Sequence, residues 1–371
     1  MSETANRPVA DRAESGTTPS FHIPSLDGLR AVAVMIVFVS HAGLPAVPGG
    51  FGVTVFFFLS GYLITTLLRR EFEGTGRIDF GAFYKRRAWR ILPPLYLCLA
   101  LAVLFSAVGF TADFGSLRGV VAQALHVTNY WTMIDPDGVR AFPPGTIVYW
   151  SLAVEEHFYL LFPLAALVLL RRFAPRRQAL TLLVVCGLVL AWRLVLVLVL
   201  DAPQTHTYSA TDARIDAILY GCVMGLYRNP ALDPVIETTR RTRTTVLAVS
   251  GLVILGSMAV RNEQYRETLR YTIQSMALAP VFYFAILHPR EGLFRLLNLR
   301  PVAFLGVLSY TFYLNHLVYI GGFNLQFPDV PLVLRGVLSF AAILATSLAI
   351  HLAVERPIAD IRRRLRVATL D

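Results

Sequence analysis

The chain has 371 residues, of which 55% are hydrophobic and only 16% charged, where a typical soluble domain has roughly 25% charged residues. That composition cannot supply the charged shell of a water-soluble protein of this length, and its apolar content excludes a disordered chain. The formal net charge of +10 would suggest nucleic acid in a soluble protein, but in a chain this apolar it marks cytoplasmic loops, and no nucleic-acid partner is expected.

Residues 1–24 are polar and lack the apolar core of a signal peptide, so they read as a disordered cytoplasmic tail. Residues 25–366 read as one transmembrane domain, and 367–371 as a short C-terminal tail. A spanning helix needs about 20 mostly apolar residues. Ten segments qualify: 26–44, 52–69, 91–110, 150–170, 179–200, 214–228, 244–261, 271–288, 302–323 and 332–354. The stretch 117–134 is short and holds Gln123, His126 and Asn129, and is expected to be re-entrant or interfacial. The predicted fold is an all-α polytopic bundle, embedded in a bacterial inner or plasma membrane, with both termini cytoplasmic.

Charge supports this topology. Of 34 basic residues, all but Lys85 are arginine. With the N-terminus inside, 25 fall in cytoplasmic segments. Six fall in outer loops (Arg118, Arg140, Arg214, Arg261, Arg266 and Arg270), and Arg30, Arg193 and Arg335 lie within spans. That asymmetry is the positive-inside bias. Counting 117–134 as a full span would place the arginines of 171–177 outside. Cys98, Cys186 and Cys222 all sit in apolar runs and read as buried thiols.

Ionisable groups within spans are costly and are the first candidates for function. The first helix carries Asp27, Arg30 and His41. Arg30 and His41 return to nearly the same face, about 20° apart in azimuth and about 16.5 Å apart along the axis. Asp27 is close enough to pair with Arg30. A purely structural reading, with a local ion pair and a His41 satisfied by a backbone carbonyl, has equal weight from periodicity alone. The glycine-rich run from Gly49 to Gly61 suits close helix packing, and its Ser60-Gly61 step could also approach a ligand. Arg87 and Arg90 share a helix face at the cytoplasmic edge, where arginine forks suit phosphates and also serve as membrane anchors. Glu155 lies one turn below Ser151 at the outer end of its helix. Glu155, Glu156 and His157 are adjacent and diverge, so no metal site is expected. Arg193, Asp216 and His316 are further interior polar groups, read as ion-pair or hydrogen-bond partners. Gly221 and Gly225 read as packing positions, and His351, Glu355 and Arg356 as the cytoplasmic cap of the last span.

Taken together, these residues resemble the acyltransferase-3 family of integral membrane O-acyltransferases, over residues 24–366. Four motifs carry the resemblance in order. Ser25-Leu26-Asp27-Gly28-Leu29-Arg30-Ala31 with His41 resembles the family opening. Gly52-Val53-Thr54-Val55-Phe56-Phe57-Phe58-Leu59-Ser60-Gly61 resembles its glycine-phenylalanine motif. Arg87-Ala88-Trp89-Arg90 resembles its paired-arginine motif, and Trp150-Ser151-Leu152-Ala153-Val154-Glu155 its tryptophan-to-glutamate motif.

The resemblance implies transfer of an acyl group from cytoplasmic acyl-CoA, usually acetyl-CoA, to a hydroxyl, commonly on a carbohydrate. It implies a catalytic role for His41, donor binding by Arg30, Arg87 and Arg90, and an essential carboxylate at Glu155. Asp27, Ser60, Gly61, Asn129 and His316 are supporting candidates. No bound cofactor is expected, and the partners are the bilayer, acyl-CoA as cosubstrate and a hydroxyl-bearing acceptor. The chain is expected to be a stand-alone form without an appended SGNH-type hydrolase domain, and its acceptor an envelope polysaccharide, a glycolipid or a secreted metabolite such as a macrolide. One expectation concerns geometry: Glu155, entering from outside, orients His41 or stabilises its imidazolium. The competing reading is a transporter or flippase of a glycan or lipid-linked substrate, which the helix count and interior charges allow but no paired half-chain pattern supports.

Overall fold

Water is absent from a bilayer core, so a spanning backbone must satisfy its own hydrogen bonds, and helices do this within one segment. The computed structural model of the chain describes residues 23–113, 115–135 and 138–367. The predicted tails at 1–22 and 368–371 lie outside the described residues. The described residues contain helices and no strand.

The helices in chain order are α1 (Pro24–His41), α2 (Gly49–Thr75), α3 (Phe80–Ala107), α4 (Leu117–Ala124), α5 (Thr128–Ile134), α6 (Trp150–Arg172), α7 (Pro175–Leu198) and α8 (Gln204–Ser209). Then follow α9 (Thr211–Leu226), α10 (Arg240–Ala259), α11 (Glu263–Glu267), α12 (Leu269–Leu287), α13 (Phe294–Leu297), α14 (Arg300–Gln326) and α15 (Leu332–Ile350). A π-helical turn, His351–Glu355, joins α15 to α16 (Arg356–Val367). The last span is therefore not capped at His351 as expected. His351 Nδ1 instead lies 2.8 Å from Glu355 Oε2, and Thr311 Oγ1 donates to Glu355 Oε1 at 2.7 Å, tying the turn to α14.

Every one of the ten predicted spans falls on a helix. Among the described residues seven helices are long and apolar enough to cross a membrane. The three predicted spans outside that set are α1, α9 and α12, with 18, 16 and 19 residues. They carry interior polar groups such as Asp27, Asp216 and Gln274, which are buried against protein rather than lipid. The region 117–134 forms two short helices of eight and seven residues, about 12 and 10.5 Å long, so neither can cross. They are broken at His126, whose φ is 56°.

The bundle is layered. Of the apolar windows, those of α2 and α14 are 72% and 67% buried inside the protein, whereas those of α10 and the α15–α16 stretch are 11% and 22% buried. The latter two leave apolar faces for lipid, and α1 packs between α2 and α14. Backbones approach closely where glycines allow it. A Cβ at Gly61 would overlap the Ile218 carbonyl oxygen, and one at Gly221 would overlap the Phe58 carbonyl oxygen, so α2 and α9 cross on reciprocal glycines. A Cβ at Gly306 would likewise overlap the Asp27 carbonyl. Gly221→Ala is therefore expected to lower stability by about 1–3 kcal/mol, read as a lower unfolding temperature in detergent. Gly187→Ala, where a Cβ meets open space, is the control and should show no loss.

Two ion pairs brace the frame. Arg193 on α7 meets Asp216 on α9 in a two-pronged pair at 2.9 and 2.7 Å, both side chains fully buried, with Thr272 of α12 donating to Asp216 at 3.0 Å. This confirms the expected structural role for Arg193. At the other end of α9, Arg69 of α2 holds Asp233 in the following loop, with one bond at 2.9 Å. Burial pushes the Asp233 carboxyl up, but hydrogen bonds from Arg69 and from the Asn229 backbone N–H outweigh it and hold it below the usual range. Cys98, Cys186 and Cys222 are buried free thiols.

Candidate active site

All four motifs meet at one cleft between α1, α2, α3, α6 and α14. Arg30 comes from α1, Ser60 from α2, Arg87 and Arg90 from α3, and Glu155, Glu156 and Tyr159 from α6. Each helix delivers its polar groups at helical spacing, Arg87 and Arg90 one turn apart and Glu155 and Tyr159 likewise. Arg30 keeps its predicted partner, with Nη1 3.1 Å from Asp27 Oδ1. Among the described residues, no carboxylate lies within ion-pair distance of Arg87 or Arg90, and the Arg87 guanidinium stands 5.0 Å from the Tyr159 ring centroid. The cleft therefore presents guanidinium donors at its arginine end, the charge pattern of a phosphate site.

Further in, Ser60 Oγ donates a short hydrogen bond to Glu155 Oε1 and accepts one from Tyr159 OH at 3.1 Å. The expected contact between Glu155 and His41 is not the one formed. Glu155 lies in the cleft and its partner is Ser60, because one turn below Ser151 it faces α2.

His41 has a different partner. Its Nδ1 lies 3.1 Å from Nε2 of His316 on α14. His316 Nδ1 lies 2.6 Å from the Tyr313 carbonyl oxygen. A carbonyl only accepts, so His316 carries its proton on Nδ1 and leaves Nε2 as acceptor. His41 must then donate from Nδ1, which leaves His41 Nε2 with the free lone pair. The tautomer thus follows from two contacts. His316 is fully buried, whereas His41, the last residue of α1, is exposed. Tyr313 joins the pair to the cleft. Its ring lines the cleft, sits 5.4 Å from the His316 ring, and its hydroxyl shares a 2.8 Å bond with Ser151.

The sequence placed His316 among the interior polar groups without giving it a partner. Residues 275 positions apart leave no spacing signal, and the only clue was a histidine beside Asn315 in the middle of an apolar helix. Two supporting candidates fall elsewhere. Gly61 faces the α9 crossing, not the cleft. Asn129 on α5 donates to Thr211 Oγ1 at 3.0 Å and does not line the cleft. Arg214, counted among the outer-loop arginines, is fully buried. Its guanidinium is enclosed by the rings of Phe57, Trp150, Tyr208 and Tyr271, at 5.6, 5.7, 5.7 and 3.8 Å from their centroids.

A bundle of membrane-length helices, with a cleft lined by charged groups and a polarised histidine pair that joins buried His316 to exposed His41, is the architecture of an enzyme embedded in a membrane. The chain belongs to the acyltransferase domain family, whose model matches residues 23–353. It is 31% identical over 327 residues to O-acetyltransferase OatA of Staphylococcus aureus, covering 85% of this chain and 54% of that protein. It is 31% identical over 312 residues to peptidoglycan O-acetyltransferase OatA of Listeria monocytogenes, covering 80% and 49%. It is 26% identical over 318 residues to a putative O-acetyltransferase of Staphylococcus aureus, covering 83% and 52%. The chain spans about half the length of these relatives. No solved structure matches it. The family and the helices together place it among multi-pass bacterial membrane proteins of the acyltransferase domain family.

Proposed function

We propose that the protein moves an acyl group, acetyl by the names of its relatives, from cytoplasmic acyl-CoA to a hydroxyl on the outer side of the membrane. The acceptor class is a carbohydrate of the cell envelope or a glycosylated metabolite. The observation that carries this reading is the continuity from the arginine-lined cleft, through Tyr313 and His316, to His41. Arg87 and Arg90 receive the CoA phosphates, and Arg30 takes the start of the pantetheine arm. The thioester then lies at the far end of α1.

A hydroxyl attacks a thioester slowly because it holds its proton, and a histidine is suited to remove it near neutral pH. His41 Nε2 is the free acceptor in the tautomer above, so it takes the acceptor's proton as the oxygen attacks the carbonyl. The tetrahedral intermediate collapses with loss of the CoA thiolate, which takes up the proton from His41. His316 is a positioning residue. It fixes the His41 ring and accepts from Nδ1, as a carboxylate does for the histidine of hydrolase triads. Glu155 and Ser60 form the wall along which the arm runs.

The first test is transfer of label from labelled acetyl-CoA in membranes that contain envelope glycans. The expected result is label in a glycan or glycosylated fraction with the wild type only. Absence of label from every fraction, with the protein inserted and stable, would overturn the reading. Donor binding has its own test. Arg87→Ala and Arg90→Ala should each raise KM for acyl-CoA by about tenfold or more, the loss of one charge-assisted hydrogen bond. The kcat should fall much less. An unchanged KM would remove these arginines from the donor site.

A further inference from the structure

A second cleft opens on the face that the charge bias places outside. The α1–α2 turn forms one wall and the α10–α12 connection the other. Arg261, Arg266 and Arg270 line it, with Tyr208, Tyr271 and Gln274. Among the described residues, no carboxylate lies within ion-pair distance of these three arginines. Glu267, on the same connection as Arg266 and Arg270, is already engaged by Gln204 Nε2 at 2.8 Å, Thr207 Oγ1 at 2.7 Å and Tyr271 OH at 3.4 Å.

Behind this wall sits Arg214, fully buried without a carboxylate partner. It donates to the Tyr208 carbonyl at 3.0 Å and to Thr54 Oγ1 at 3.4 Å, and its Nε has no hydrogen-bond partner. The Tyr271 ring stands between these charges, with Arg214 3.8 Å and Arg270 5.2 Å from its centroid. Three of the six arginines that the sequence assigns to outer positions thus line one cleft, and a fourth, Arg214, is buried behind its Tyr271 wall. A chain that keeps basic residues away from this side has gathered most of its exceptions here.

The cleft adjoins His41. Ser40 and Gly49 line it, and a Cβ on Gly49 would lie 3.9 Å from His41 Cε1. We infer that this cleft binds the acceptor, and that the acceptor is a sugar bearing an oxyanion, a carboxylate or phosphate, beside the hydroxyl that is acylated. The inference rests on the transfer reading for the fate of that hydroxyl, but the anion site stands on the arginines alone. The oxyanion pairs with Arg266 and Arg270 at the wall, Arg214 raises the potential from behind, and the hydroxyl is left toward His41.

The test is a binding measurement that needs no turnover. The full chain, in nanodiscs of zwitterionic lipid, is titrated with methyl β-glucuronide, with methyl β-glucoside, which has the same ring without the carboxylate, and with glycerol phosphate. Binding is read by tryptophan fluorescence and by unfolding temperature. The acidic probes are expected to bind about tenfold or more tighter than the glucoside, as charge-assisted hydrogen bonds provide. Arg266→Gln with Arg270→Gln should erase that preference. Arg261→Gln with Arg266→Gln, at the more exposed rim, should weaken it in a protein that keeps its unfolding temperature. Equal binding of acidic and neutral sugars by the wild type would overturn the inference, as would a preference that survives both double variants. Loss of the acidic preference in nanodiscs of anionic lipid, which themselves raise the unfolding temperature, would assign the cleft to lipid headgroups instead. If label transfer fails while the acidic probe still binds, the transfer reading falls and the anion site remains.

Discussion

His41→Ala is expected to abolish acyl transfer, a loss of about 10²–10⁴-fold for removal of a general base. The protein should still insert and unfold at the wild-type temperature. His41 is the last residue of α1 and is exposed, so little packing is lost with its ring. Its partner His316 remains bonded to the Tyr313 carbonyl. The check is label transfer and thermal unfolding on the same membrane preparation. Near-wild-type turnover in the variant would exclude His41 as the base.

The second large effect belongs to His316→Ala, which removes the acceptor for His41 Nδ1–H. Loss of the orienting group in a hydrolase triad lowers kcat by about 10⁴, and a loss of about 10²–10⁴ is expected here. This side chain is fully buried, so alanine also leaves a cavity, and activity alone would not separate positioning from packing. His316→Gln does separate them. The Gln amide oxygen can accept from His41 Nδ1–H and fills most of the space, so it should recover at least about a tenth of wild-type kcat. If alanine and glutamine variants are equally inactive while both fold, the hydrogen bond is not what His316 contributes. KM for acyl-CoA should stay unchanged throughout, because neither histidine lines the arginine end of the donor cleft.

Hydropathy and helical spacing made the helical class and the helix positions legible, because they report local geometry; that Arg30, Ser60, Arg87, Arg90 and Glu155 belong together was only what the family resemblance implied. All ten predicted spans are helices, and among the described residues seven are long and apolar enough to cross a membrane; α1, α9 and α12 are lined by protein and carry polar residues that lipid would not tolerate. The partner choices were not legible. Glu155 stood at the right height to orient His41, but which helix it faces depends on how α6 is rotated in the bundle, and α2 supplies Ser60 there. His316 could not be assigned to His41 for the same reason. Arg214 looked like a loop charge because it sits near the start of α9, and only the four surrounding rings, drawn from four separate helices, reveal it as interior.

Arg30 and His41 stand on a single rigid helix, eleven residues and so about 16.5 Å apart along its axis. In the proposed transfer that helix is a fixed ruler between the start of the donor's pantetheine arm and its reactive carbonyl. A donor whose flexible arm is shorter cannot reach the histidine while its phosphates are held, and extra acyl length must extend beyond the end of the ruler toward the outer cleft. Chain-length preference would then be set by the space past His41, while the identity of the carrier would be set by the helix itself. Because α1 is clasped by glycine contacts to α2 at Gly52 and to α14 at Gly306, it cannot slide to change that gauge.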